Sequence, residues 1–538
     1  MNGAELFVAC LQAQRVQWIS TLCGNGLNGV LAACRDAGIR RVDTRNEQTA
    51  AYMAEAWGRL SGEVGVCAVS SGVAHANAMT GVVNAYFDGA PMLLVTGAGP
   101  LRTAGRGHFQ DLDHVALAAP VCKCARTIDQ AERIPEYVHQ AFAAALSGRP
   151  GPVHLTFPMD VQDTDVQGVA PCPAVVRQAG GAAPAAAVAR TAELLAGAQR
   201  PVLVCGNGLF YAGGEDAAAT FAAAYGVPIV VPIWDRGCVP HACGEYLGVV
   251  GAASGGPRVL EDADLVLLAG AEVDYRLAYL QSPPLRSDRR VVQIQAELGR
   301  AARFAADVDL VADPGAALTQ IHEACTQRQL RGFEAWLSEA RARQAQFVGG
   351  LRHVTAPGKV SALEVMDVLE EVLPAEAVLV VDGGSIGQWF HQTLGRRRYP
   401  GHWLTCGASG VVGNGVGAAM AARAGFVRRP VVLLSGDGAA TFTLTDLERA
   451  SSQGLPFVMV IADDEAWGIV EVGQRRQYGE PLNSALGPID FAELARSLGA
   501  LGTRATSRNE LEQALTQGMR ESRPAVIHVP LAGGMPGA

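Results

Sequence analysis

Two hydrophobic rhythms alternate along the chain. Short, unbroken apolar runs such as Pro201–Cys205 and Val431–Leu434 have the length and β-branched content of buried strands. Between such runs lie longer segments whose apolar residues recur every three or four positions. One of them, SALEVMDVLEEVL from 361 to 373, has the pattern of an amphipathic helix. The same reading predicts a strand over Gly65–Val69, a helix over Ala76–Tyr86 after a Gly-containing turn, and a strand over Pro91–Thr96. It predicts further strands at Ile229–Val231, Leu265–Leu268 and Val291–Ile294, then at Ala377–Val381, Phe457–Ile461 and Ala525–Val529. Alternation of this kind builds parallel α/β sheets with helices on their faces.

Composition breaks divide the chain. Residues 1–165 form a first α/β section, and 166–190, rich in Ala, Gly, Pro and Gln, read as a linker. A central section spans 191–330, a helical, charged connector 331–358, and a last α/β section 359–538. Three domains suit a chain of 538 residues. With 49% hydrophobic and 18% charged residues the chain is well cored, not disordered. A net charge of −9 argues against a nucleic-acid surface. It leaves room for an anionic cofactor received by helix N-termini and a bound cation. Twelve cysteines are scattered without a pair of CxxC motifs, so free thiols are expected rather than zinc or a disulfide framework. No apolar run reaches bilayer length and no signal-like segment opens the chain, which predicts a cytoplasmic protein without a membrane partner.

The strongest local signal is VVLLSGDGAATF, 431–442. A buried strand runs into Gly436-Asp437-Gly438, where glycine permits a sharp turn and close approach to phosphate, and Thr445 is a candidate cap for the next helix. A second strand, LPFVMVIA, ends at Asp463-Asp464. One intervening helix returns the chain, so both strand ends can share a sheet edge. Asp437, Asp464 and the Ala466 carbonyl could then surround one Mg²⁺, with diphosphate oxygens and water completing an octahedral shell. Taken alone, GDG is a common acidic turn, and the alternative is two strand-end turns with Asp463 and Asp464 solvated or capping a helix. A second candidate is TRNEQTAAYMAEAWGRLSG, 44–62, where Glu47 opens a helix after a short strand. A carboxylate there is either a helix-dipole residue or a partly desolvated proton carrier.

These two segments together resemble the thiamin-diphosphate-dependent enzymes of the pyruvate oxidase, acetolactate synthase and decarboxylase type. The resemblance continues through SSGVAHANAMTGVVNAY (70–86), PMLLVTG (91–97) and RPGPVHLTFPMDV (149–161). It implies three Rossmann-like α/β domains. The first receives the cofactor's aminopyrimidine and the last its diphosphate, while the central domain binds an extra nucleotide or is structural. The two cofactor domains of such enzymes come from different subunits, so the resemblance implies at least a homodimer and points to a tetramer. It assigns Mg²⁺ to Asp437, Asp464 and Ala466. The family's usual Asn-Asn is replaced here by Asp463-Asp464, which adds negative charge.

By the same resemblance Glu47 protonates the aminopyrimidine, whose imino form then removes the thiazolium C2 proton, so the cofactor itself is the nucleophile. Val412, in CGASGVVGNGVGAAMAA (406–422), matches the bulky wedge that bends the cofactor, against a reading as a helix-packing seam. Further cofactor contacts fall on Asn77, Gly384, Ser385, Gln388, Gly410, Gly436, Gly438, Ala439, Ala440 and Trp467; Gln388 is alternatively a helix cap. Gln110, in GRGHFQDLDHVALAAPVCK (105–123), matches a pocket glutamine of benzaldehyde lyase and acetohydroxyacid-synthase-like enzymes. His75 is a candidate proton-transfer group, while His108 and His114 read as exposed or satisfied loop residues. The early loop CGNGLNGVLAAC (23–34) lacks the histidine of benzaldehyde lyase, which separates the chain from that specificity.

The expected activity is a carboligase or lyase acting on a small carbonyl substrate, a 2-oxo acid or 2-hydroxy ketone, with acetolactate synthesis the best named version. Simple 2-oxo-acid decarboxylation is the alternative. The ending LAGGMPGA argues against a CoA-covering extension, and Gln295 in VVQIQAELGR, where nucleotide sites often carry Asp, disfavours FAD. A silent binding protein with the same fold is opposed by Glu47, Asp437 and Asp464 together.

Overall fold

The unbroken apolar runs form strands covered on both faces. Val431–Gly436 and Pro201–Cys205 are buried at every position, which is why their sequences lack the alternation of a half-exposed strand. The computed structural model describes residues 1–177, 180–235, 239, 243–251, 259–282, 284–394 and 403–534. Gln178 and Ala179 of the expected linker lie outside them.

Three sheets follow one another along the chain. The first contains β1 (Trp18–Thr21), β2 (Arg40–Asp43), β3 (Gly65–Val69), β4 (Met92–Ala98), β5 (Cys124–Thr127) and β6 (Pro152–Pro158), ordered β2-β1-β3-β4-β6-β5. The second contains β7 (Pro201–Cys205), β8 (Ile229–Pro232), β9 (Tyr246–Val250), β10 (Leu265–Ala269), β11 (Arg290–Gln295) and β12 (Val308–Val311), ordered β12-β11-β10-β7-β8-β9. The third contains β13 (Val360–Ser361), β14 (Val378–Val381), β15 (Trp403–Leu404), β16 (Val431–Gly436), β17 (Val458–Asp463), β18 (Leu501–Arg504) and β19 (Ala525–Ala532). Its order is β13-β19-β17-β16-β14-β15, with β18 also on β19. The pairings that flank β3, β10 and β16 are all parallel. The strand order reverses between β1 and β3 in the first sheet and between β14 and β16 in the third. Crevices outside strand C-termini at such reversals are where open α/β sheets bind ligands.

The helix Glu47–Ser61 joins the first and third domains. A Cβ on Gly81, in the helix Val73–Asp88, would lie 2.6 Å from the Ala51 carbonyl carbon. One on Gly417, in the helix Gly415–Gly425, would lie 3.0 Å from the Thr49 carbonyl oxygen. Small residues thus let Glu47–Ser61 pack closely on both neighbours. The Gly/Ala seam read from the sequence is this packing surface, and half-buried Val412 stands before it, outside the helix.

Two expected boundaries move. The helix Ala185–Gly197 starts inside the expected linker. The helix Glu334–Gly350, read as connector, buries Trp336 in the central core, where its indole donates to the Pro201 carbonyl at 3.0 Å. Its charged residues hid this packing stripe. Every described cysteine is a free thiol. Among the described residues no helix is long and apolar enough to cross a membrane.

Candidate active site

β16 ends at Gly436, opposite Ala462 of β17. The next residue on the first strand is Asp437, and two residues beyond Ala462 is Asp464, so both carboxylates stand at one sheet edge. Burial, together with the neighbouring Asp464 and Asp463, pushes the Asp437 carboxyl up. Burial also raises Asp464, although Ser385 Oγ donates to its Oδ2 at 2.7 Å. Two acids crowded away from water are relieved by a divalent cation between them. Asp463 behaves differently. Burial pushes its carboxyl up, but His528 Nε2, 2.8 Å from Oδ2, and the Glu465 amide outweigh this and hold it low. Asp463 is thus tied to β19 rather than facing a metal as a free ligand.

The Ala466 carbonyl is turned away from its neighbouring segment. Trp467 donates its amide to Ser484 and Leu486 to Glu465, each at 2.8 Å, while Ala466 pairs with Ala485 between them. In that antiparallel register the Ala466 carbonyl faces away from the 484–486 segment. Among the described residues no three His, Cys, Asp or Glu side chains form a metal cluster. Two carboxylates and a carbonyl would supply three oxygens to a divalent cation.

The glycines here serve close approach. Gly436 has an ordinary φ of −75°, so the expected sharp turn is not its reason. A Cβ on Gly384, which has φ +111°, would lie 2.8 Å from Gly436 Cα, and one on Gly438 would meet the Trp467 ring at 2.7 Å. A Cβ on Gly383 would lie 2.4 Å from Val412 Cγ1, so Val412 sits directly against this turn. Ala439 and Ala440 are buried in the turn Asp437–Ala440, and Gly410 takes φ +67° in the loop that carries Val412. Thr445 caps nothing: it lies inside a 3₁₀ turn, Leu444–Asp446, that precedes the helix Leu447–Ser452. Gln388 is not a cap either. It lies inside the helix Ser385–Gln392, after Gly384, and its buried Oε1 has no protein partner.

Asp382 went unnoticed in the sequence. It is buried and accepts the Gly383, Gly413 and Gly415 amides at 2.6, 2.9 and 3.0 Å, anchoring the Val412 loop to β14. Burial nevertheless raises its carboxyl above the ordinary value. A carboxylate directly after the strand VLVV was the available signal. Phe442 was also missed. Its ring lies 6.2 Å from that of Trp467, edge to face.

The first domain carries the remaining candidates. Asn46 caps the helix that Glu47 begins, and Asn77 Nδ2 donates to Glu47 Oε2 at 3.0 Å. Glu47 is half-buried and Asn77 exposed. Ser71 Oγ donates to Gln110 Oε1 at 2.9 Å. His75 is fully buried, with Nδ1 2.8 Å from Thr96 Oγ1. His114 is buried and accepts the Gly72 amide, a satisfied histidine rather than an exposed one. Two groups result: Asp437, Asp464, Ser385, Val412 and Trp467 around the third sheet, and Glu47 with Asn77 on the first domain.

Three family descriptions match the chain in order. They are the thiamine pyrophosphate enzyme N-terminal TPP binding domain over residues 1–117, the central domain over 188–321 and the C-terminal TPP binding domain over 382–529. The chain belongs to the thiamin-diphosphate-dependent enzymes. A probable acetolactate synthase large subunit from Methanocaldococcus jannaschii is 28% identical, over 98% of this chain and 92% of the relative. An acetolactate synthase large subunit from Mycobacterium tuberculosis is 29% identical, over 98% and 95%. The human 2-hydroxyacyl-CoA lyase 2 is also 29% identical, over 98% and 90%. The residues fit the cofactor. The glycine cradle at 383, 384 and 436 admits close approach, and the crowded carboxylates suit the cation that carries a diphosphate. The chain is a thiamin-diphosphate-dependent enzyme of the carboligase, lyase and decarboxylase class, acting on small molecules.

Proposed function

We propose that this enzyme forms or cleaves a carbon–carbon bond beside a carbonyl, using 2-oxo acids or 2-hydroxy ketones in an acetolactate-synthase-like reaction. The observation that carries the reading is buried Asp437 and half-buried Asp464 at the ends of β16 and β17, beside the β14/β16 reversal, with the Glu47–Asn77 pair on the first domain. Bound thiamin diphosphate supplies the carbon nucleophile and the electron sink. Asp437, Asp464 and the Ala466 carbonyl hold Mg²⁺, and Ser385 orients Asp464. Val412, backed by Gly383, shapes the cofactor's middle. Glu47 holds a proton at the pyrimidine end, and Asn77 orients its carboxylate. Gln110 donates to a substrate oxygen. The test is incubation with thiamin diphosphate, Mg²⁺ and a panel of 2-oxo acids, with products read by mass spectrometry. An acetolactate-type condensation product supports the reading, aldehyde and CO₂ alone indicate a simple decarboxylase, and no conversion overturns it. The human relative's name adds a 2-hydroxyacyl-CoA to the panel.

A dimer completes the site in this reading. Exposed apolar residues flank both halves: Val73 and Phe109 on the first domain, Phe442 and Val470 on the third. A second copy covers them and brings Glu47 of one chain to Asp437 of the other. Sedimentation at assay concentration tests this, and a fully active monomer contradicts it. FAD has no part in the proposal. The cleft of ≈ 270 Å³ between first and central domains is lined by Glu272, held by Arg149 and Arg300, and by Gln295, whose amide is spent on the Ala271 carbonyl. Flavin absorbance in the purified protein would contradict that exclusion.

A further inference from the structure

Behind the Gln110 loop lies a histidine cluster that the cofactor chemistry leaves unused. His75, His114 and His154 are all buried. The His75 ring lies 5.0 Å from that of His114 and 4.8 Å from that of His154. Burial lowers the basicity of all three. His75 falls to about 4 with His114 adding to the effect, and His154 falls well below its ordinary value. Asp113 and Asp111, just before the helix that His114 opens, only partly offset its burial. Burial and the closeness of the rings both disfavour positive charge on these imidazoles.

A neutral imidazole has one donor and one acceptor nitrogen. His114 Nε2 is the acceptor, because the Gly72 amide donates to it at 2.8 Å. The Gly72 turn has little freedom. Its φ is +58°, and a Cβ there would lie 2.5 Å from Gln110 Cβ. Gln110 itself takes φ +56°, a left-handed conformation that costs free energy in a non-glycine residue. Ser71, in the same turn, donates to Gln110 Oε1. That bond leaves the Gln110 amide hydrogens available to a substrate oxygen. Gln110 and His114 both line a cavity of ≈ 590 Å³.

We infer that His114 is a positioning residue: by accepting the Gly72 amide it fixes the Ser71–Gly72 turn and so sets Gln110 for the substrate. The inference rests on the reading of Gln110 as a substrate contact. A cationic His114 has no acceptor at Nε2, so the clamp is lost in acid.

The experiment uses full-length protein with thiamin diphosphate and Mg²⁺, and the 2-oxo acid it consumes, pyruvate being tried first. Amide exchange of the 70–76 peptide and steady-state kinetics are read together. His114→Phe is expected to speed exchange at Gly72 and raise KM by about tenfold each, with kcat nearly unchanged, the scale of one buried hydrogen bond. His114→Gln, whose Oε1 can accept the same amide, restores both and removes the rise of KM in acid. Wild-type exchange and KM in His114→Phe overturn the inference, as does a Gln variant no better than Phe. If His114→Phe fails to fold, the acid KM profile of His114→Gln decides: a profile identical to wild type overturns the proposal. Gln110→Ala separates the two readings. An unchanged KM there removes Gln110 from the substrate, while faster exchange in His114→Phe would still locate the clamp.

Discussion

The Arg59 guanidinium lies 3.8 Å from the Asp88 carboxylate, and both side chains are withdrawn from water. Arg59 also lies 3.4 Å from Glu55 and donates to the Thr405 carbonyl at 2.8 Å. Asp88 accepts the Ala408 amide at 3.0 Å and Asn207 Nδ2 at 3.4 Å. Residues of all three domains therefore meet at one buried ionic cluster, on the helix whose first residue is Glu47.

Removing the cation from this cluster should be costly. Arg59→Met leaves Glu55 and Asp88 buried without their guanidinium and is expected to destabilise the protein by about 3–5 kcal/mol. Glu55→Gln should cost less, because two acids share that cation. Burial raises the Glu55 carboxyl, Arg59 opposes the shift and Asp88 adds to it. The folded state therefore holds this proton to higher pH than the unfolded chain does. Its contribution is full below the unfolded carboxylate pKa and is lost as pH rises through the folded value. Urea midpoints at acid and neutral pH check this. Glu55→Gln should gain on wild type as pH rises, and parallel curves would refute the assignment.

Asp437→Ala is expected to weaken Mg²⁺-dependent thiamin-diphosphate binding by at least about tenfold, since it deletes one of two protein carboxylates from the candidate shell. Titration calorimetry with and without Mg²⁺ measures the loss. Equal affinity in both proteins would remove Asp437 from the metal.

Asp464→Asn makes an opposite pair of demands. In metal-free protein it relieves the crowding with Asp437, so thermal stability should rise, by about 1 kcal/mol. With Mg²⁺ and cofactor present that advantage should shrink or reverse, because the amide is a poorer ligand than the carboxylate. Melting curves in chelator and in saturating Mg²⁺ supply both numbers. A loss of stability in chelator would show that the two carboxylates do not repel.

Much of the third domain was legible because its strands are continuous apolar runs ending in chemistry-bearing residues. Val431–Leu434 and Phe457–Ile461 lie within or one residue from the observed β16 and β17, and Asp437 and Asp464 fall at one edge. What escaped depended on contacts between distant segments. Asp382 serves the 413–415 loop, and His528 holds Asp463 from another strand. No local pattern announces the His528 contact, and the carboxylate after VLVV does not tell which distant loop Asp382 serves. The close packing of the glycines at 436 and 438 is hidden for the same cause: the bodies they approach, Gly384 and Trp467, come from other loops. The His75–His114–His154 cluster gathers two helices and a strand. Only the fold shows that His114 is an acceptor.

Glu47→Gln should leave the fold and most cofactor binding intact while nearly abolishing turnover. Glu47 stands at the first position of its helix, half-buried, with Asn46 as the cap and Asn77 donating to its Oε2. The cap is supplied by Asn46, so the Glu47 carboxylate is not needed for it. Glutamine preserves size and can still accept from Asn77 through its oxygen, but it cannot exchange a proton. Helix stability should therefore change by only a few tenths of a kcal/mol, whereas a proton-holding role would be lost outright. The two outcomes separate in one measurement: exchange of the cofactor's C2 proton in heavy water, quenched in acid and read by proton magnetic resonance. Slow exchange with retained thiamin-diphosphate binding places the defect at cofactor activation, ahead of any substrate step. Exchange at the wild-type rate would reduce Glu47 to a helix-terminus carboxylate and take the activation role away from the 44–62 segment.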